Sequence, residues 1–141
     1  MILPDGKILV GGTARIGSDF DFAFAMLDSE GNLVTSFDGD GLSTYDFSNT
    51  NDALTRIEIY KDRIYGIGSS IVNDLEQYAI VALKMSGAPE TAFSQDGMLV
   101  FDVDAGQDVA TGIAVQPDDK ILVAGYTGIG FEKEFCVVRF K

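Results

Sequence analysis

The chain contains no histidine. That absence removes His-based triads, imidazole general bases and the usual zinc sites together. Any catalysis would rest on carboxylates, Lys, Tyr, Ser or Thr. One cysteine, Cys136, leaves no internal disulfide to form, and no Asn-x-Ser/Thr sequon occurs. No apolar run approaches the ~20 residues that span a bilayer, so no membrane insertion is expected. Met1-Ile2-Leu3-Pro4-Asp5-Gly6 has neither a basic region nor an apolar signal core. A secretion signal, if one exists, lies outside this chain. Basic residues are scarce: 10 Lys and Arg stand against 22 Asp and Glu, a net charge of −12. Nucleic acid and anionic lipid surfaces would be repelled. Cations, proteins and neutral carbohydrates remain as partners.

Hydrophobic residues make up 46% of the 141, enough for one domain with a real core. The sequence repeats. Lys7-Ile8-Leu9-Val10-Gly11-Gly12 returns as Arg63-Ile64-Tyr65-Gly66-Ile67-Gly68 and as Lys120-Ile121-Leu122-Val123-Ala124-Gly125, at spacings of 56 and 57. Phe22 to Leu27 corresponds to Tyr78 to Leu83 and to Phe135 to Phe140. Leu42 to Phe47 corresponds to Met98 to Val103, and Asp52 to Ile59 to Asp108 to Val115. Residues 1–141 thus read as a single β-repeat domain with copies near 4–59, 60–115 and 116–141.

Each period holds four short segments rich in β-branched and aromatic residues, separated by Pro-Asp-Gly, Glu-Gly-Asn and Asp-Gly turns. Ten strands are predicted, near 7–12, 21–28, 42–47, 53–60, 63–69, 77–84, 98–103, 109–116, 120–126 and 134–140. The segments 22–27 and 109–115 are apolar on both faces, as expected of sheets stacked face to face. The fold class is all-β: a β-propeller-like array of four-stranded antiparallel blades, about two and a half repeats. With the inner strand placed before the Pro-Asp turn, at 53–60 and 109–116, blade one lacks its inner strand and blade three its outer one. Closed propellers use ~4–8 blades, so the array is expected to be open or oligomeric rather than a closed ring. It would be a remainder of a longer propeller or a homo-oligomer.

Pro4 to Gly12, Pro117 to Gly125, Asp21-Phe22-Ala23 and Thr35 to Gly41 together resemble the delta-60 repeat family, tandem repeats of large bacterial proteins. The middle copy departs from that pattern at Tyr60-Lys61-Asp62-Arg63 and at Glu90 to Gly97. The resemblance implies a propeller-like repeat in a cell-surface or secreted protein, hence an extracellular location. It supplies no catalytic residues.

Ser36-Phe37-Asp38-Gly39-Asp40-Gly41 is the most calcium-like stretch. An EF-hand-type loop from Asp38 would put Leu42 at position five, Ser43 at the glycine position and Asn49 at the bidentate Glu position. In the second copy only the aromatic and the final Asp-Gly persist, as Phe93, Asp96 and Gly97. A structural turn is therefore the main reading, with Asp38 and Asp40 as metal candidates and calcium as the one cofactor to test. Arg56 and Glu58, two apart on an inner strand, share a face and could form an ion pair that lines a channel or meets a partner. Asp19 and Asp21 form an acidic cluster whose counterparts wander between copies. Asp5, Asp118 and Asp119 suit turns. Gly66-Ile67-Gly68 opens no helix and is no nucleotide loop. Cys136 aligns with Ala23 and Ala79 as a small packed residue.

These features point to a non-enzymatic structural or binding module. It would display variable loops near 13–20, 70–76 and 127–133 to a protein or carbohydrate. Two alternatives remain: a self-assembling propeller fragment, and a carboxylate-dependent glycosidase or lyase, whose mark would be two converging acids, one with a raised pKa.

Overall fold

The computed structural model describes residues 1–130 and 132–140. Ten strands form: β1 Ile8–Ile16, β2 Asp19–Leu27, β3 Leu42–Tyr45, β4 Asp52–Tyr60, β5 Arg63–Val72, β6 Leu75–Lys84, β7 Met98–Phe101, β8 Val109–Val115, β9 Ile121–Ile129 and β10 Glu132–Phe140. They make three antiparallel sheets, ordered β1-β2-β3, β4-β5-β6-β7 and β8-β9-β10. The middle sheet is a complete four-stranded blade. The first lacks an inner strand and the third an outer one, as the repeat register requires. No sheet closes on itself among the described residues.

The period-two alternation of each strand decides its neighbours. On the middle sheet Ile64, Ala79, Val81 and Leu83 face blade one, where Leu9, Phe22, Phe24, Met26 and Tyr45 meet them. Tyr65, Ile67, Tyr78, Ile80 and Ala82 face blade three and meet Ala110, Ile121 and Val123. Each large side chain buried this way contributes roughly 1.5–3 kcal/mol. Double burial holds only for this middle sheet. On β2, Ala23, Ala25 and Leu27 are half-buried; on β8, Thr111 and Ala114 are exposed. The expectation for 22–27 and 109–115 is corrected for a simple reason: an end blade has one neighbour in this chain, not two.

Both inner strands carry a bulge at the same repeat position. The β4–β5 register shifts between Leu54 and Arg56, and the β8–β9 register between Ala110 and Gly112. The extra residues are Thr55 and Thr111. Thr55 Oγ1 lies within hydrogen-bond reach of Ile67 O in its own blade and of Ala110 O in the next. The bulge thus stitches one blade to its neighbour.

Candidate functional site

The outer strand of one blade leads to the inner strand of the next through Asp46-Phe47-Ser48-Asn49-Thr50-Asn51-Asp52. Asp46 Oδ1 accepts from Ser48 N at 3.0 Å and Asn49 N at 2.6 Å, which forms the first turn. Asp52 Oδ2 accepts from Phe47 N at 2.9 Å and closes the loop. Asn51 Oδ1 accepts from Phe20 N at 3.1 Å and ties the loop to β2 of the preceding blade. That tie brings Asp21, one residue further along β2, against Asp46 and Asp52. One carboxylate oxygen from each of the three lies within 4.8 Å of the others.

Asp46 is exposed, but Asp21 is 6% and Asp52 1% exposed. Asp52 Oδ1 has no hydrogen-bond partner. The nearby Ser70 hydroxyl sits 3.0 Å from Ser48 Oγ. Burial pushes the Asp52 carboxyl above the ordinary range, against the pull of Ser70 and the Phe47 amide, and the charges of Asp46 and Asp21 add to the rise. Asp21 is raised by burial first, then by Asp46 and Asp19. The folded state therefore holds protons on these two groups more tightly than the unfolded chain does. Their stabilising share is full below the unfolded carboxylate pKa and is lost as pH rises through the folded values. Asp52→Ala should cost about 1–3 kcal/mol in urea denaturation at neutral pH without divalent cations, because it orphans the Phe47 amide. Asp52→Asn should cost much less, since its amide oxygen still accepts that bond while the charge is gone.

The second copy keeps the bonds that tie and close the loop, although only its two end aspartates are unchanged. Gln107 Oε1 accepts from Glu76 N at 2.7 Å, and Asp108 Oδ2 accepts from Val103 N at 2.7 Å. Asp108 Oδ1 is likewise without a partner. But Gln77 stands where the first copy has Asp21. The carboxylate loop is architectural; the third carboxylate is particular to blade one.

The other candidates are spread apart. Asp38 and Asp40 are exposed. Asp38 takes a positive φ of 51°, and its amide donates to Ser86 O at 2.8 Å in blade two. Asp40 Oδ1 accepts from Leu42 N at 2.9 Å, as Asp96 Oδ1 does from Met98 N at 3.0 Å. These are turn bonds that recur with the repeat. Asp19 accepts from Ser18 Oγ at 3.0 Å and is half-buried at the edge of the Asp21 group. Arg56 is exposed and Glu58 half-buried, and no ion pair joins them among the described residues. The suggested pair is thus corrected: side chains two apart share a face but are not pulled together.

The loops expected near 13–20, 70–76 and 127–133 are mostly strand. β1 pairs with β2 out to Ile16 and Asp19, β5 with β6 to Val72 and Leu75, and β9 with β10 to Ile129 and Glu132. Two-residue turns remain at Gly17-Ser18 and at Asn73-Asp74, where both φ are positive (51° and 66°), the geometry of a type I′ hairpin. Phe131, within the expected 127–133 loop, lies outside the described residues, as does Lys141 at the end of the expected domain. Asp46 and Asp52 were not singled out as site residues from the sequence. Their recurrence as Asp102 and Asp108 was the available signal.

Three stacked antiparallel sheets that follow one four-strand pattern, with both inner strands bulged at the same place, define a β-propeller-type blade array. Residues 3–37 and 116–141 match the model of a family described as a domain of unknown function (DUF5122) beta-propeller. The match bears out the propeller-repeat resemblance on those two segments. It includes β1, β2 and the turn through Phe37, then β9 and the strand after it, and it leaves out the middle copy where the repeat pattern departs. No curated protein matches the chain.

Proposed function

We propose that this propeller segment is a non-enzymatic structural module that works by blade docking, and that its end faces seat a second copy of the chain. The carrying observation is Phe135, 79% exposed on the outer face of blade three, where its repeat counterparts Phe22 and Tyr78 are both 0% exposed. Val137 is exposed beside it, while its counterparts Phe24 and Ile80 are buried. The opposite end of the array shows Val10 and Leu42. Each end therefore continues an interface that the chain already uses twice internally, which favours another blade of the same chemistry over an unrelated ligand.

Loop display to a protein or carbohydrate has less support, because the loops that would do it are short turns. A carboxylate enzyme also has less support, because two of the three aspartates brought together, Asp21 and Asp52, are buried. Placement at the cell surface or outside the cell belongs to the proposal and rests on the family resemblance alone.

Sedimentation equilibrium tests the reading. The wild type should associate as protein concentration rises, and more strongly with added salt, which screens the −12 charge. Phe135→Asp should stay monomeric with an unchanged melting temperature. A wild type that is monomeric throughout overturns the proposal.

A further inference from the structure

We propose that Asp21, Asp46 and Asp52 form a divalent-cation site, with calcium as its ion, at the junction of blades one and two. The inference is independent of blade docking. Three carboxylate oxygens within 4.8 Å of one another fit around one calcium ion, whose oxygen ligands sit ~2.3–2.6 Å from it. Hard carboxylate donors with no nitrogen or sulfur suit calcium or magnesium rather than zinc or copper. Magnesium holds its waters more firmly and is less suited to two carboxylates that are already buried.

The second observation is the buried, partnerless Oδ1 of Asp52 within this group. A buried charged oxygen without a donor is costly unless something supplies positive charge. No Lys or Arg does so. The ion pairs of the described residues are Lys7–Asp5, Lys61–Asp119, Arg63–Glu90 and Lys120–Asp118, all elsewhere. No hydrogen bond to the Asp21 carboxylate is found among the described residues either.

The second copy serves as an internal control. It buries Asp108 with the same partnerless oxygen, but places neutral Gln77 at the third position. The orphan oxygen alone is therefore tolerable in this loop. What blade one adds is a third carboxylate within reach of the other two, where the repeat permits a neutral residue. Exposed Asp46 gives the group its opening to solvent, through which an ion enters and water completes its shell.

The test uses chelator-treated protein, with calcium chloride, magnesium chloride or ionic-strength-matched sodium chloride added. Thermal melting and titration calorimetry are the readouts. Calcium should raise the melting temperature of the wild type and of Asp38→Asn by several degrees, with one site per chain, by preferential binding to the folded state. Asp21→Asn should fold, since Gln77 fills the same position in blade two, and should lose both the calcium shift and the binding heat. Asp102→Asn, in the second copy, should keep both. No calcium shift, an equal shift with sodium chloride, or a shift retained in Asp21→Asn overturns the site. An equal response to magnesium overturns the choice of ion.

Discussion

Gly68→Ala is expected to destabilise the fold by about 3 kcal/mol or more, at the upper end of what overpacking costs, and Gly125→Ala to do the same. Gly12→Ala, at the same repeat position in blade one, should leave stability within about 0.5 kcal/mol of wild type. A Cβ on Gly68 would sit 1.8 Å from Ala53 O and 2.9 Å from Ala53 C. On Gly125 it would sit 2.1 Å from Val109 O and 2.5 Å from the Tyr78 hydroxyl oxygen. Both obstructions include the backbone of the inner strand just before the Thr bulge. That backbone is pinned by its ladder bonds, so no rotamer change relieves the clash. At Gly12 nothing lies within 4 Å, because blade one has no inner strand in this chain. Urea midpoints for the three variants decide the matter. Equal, small losses at Gly68 and Gly12 would mean that the bulged inner strand does not cross Gly68 as described.

This contrast also marks what the sequence makes legible. Lys7 to Gly12, Arg63 to Gly68 and Lys120 to Gly125 look alike as text, and from them the period, the strand count and the missing end strands all follow. Their surroundings differ in ways no single copy records. Gly12 is open and Gly68 is crowded because burial depends on the strand supplied by the next blade. The hairpin ends failed for a related reason. Residues 13–16 and 70–72 differ between copies, and such variation reads as loop. Backbone pairing needs no particular side chain, so Ile16 and Val72 extend their strands regardless.

The aspartate group was half visible. Asp46 and Asp52 recur as Asp102 and Asp108, and the bond that closes the loop recurs with the second of them. Their meeting with Asp21 depends on the Asn51 tie across two blades, a contact between positions about thirty residues apart. Asp38 and Asp40 stand two apart in sequence, whereas the carboxylates brought together in space come from positions as far apart as 21 and 52.

Three aromatic positions give the second large effect. Phe22→Ala and Tyr78→Ala should each cost about 3–5 kcal/mol, the usual range for a buried aromatic. Phe135→Ala should cost less than about 0.5 kcal/mol in dilute monomer, as for an ordinary surface change. Phe22 packs between blades one and two, edge-on to Phe47 with ring centroids 4.9 Å apart. Tyr78 fills the same place between blades two and three. Its hydroxyl has no partner, and burial pushes its pKa up to about 12. Tyr78→Phe should therefore hold or gain up to about 1 kcal/mol, by removing an unsatisfied buried hydroxyl while keeping the ring. That variant separates ring packing from the polar group, so a large loss in Tyr78→Ala alone belongs to the ring. The same truncation at Phe135 removes a ring that touches little within the chain, and its effect should appear instead as weaker self-association. Denaturation of dilute samples, paired with sedimentation of concentrated ones, reads the two effects apart. If Phe135→Ala destabilises the dilute monomer as much as Phe22→Ala does, the outer face of blade three is already covered by this chain, and it is not a docking surface.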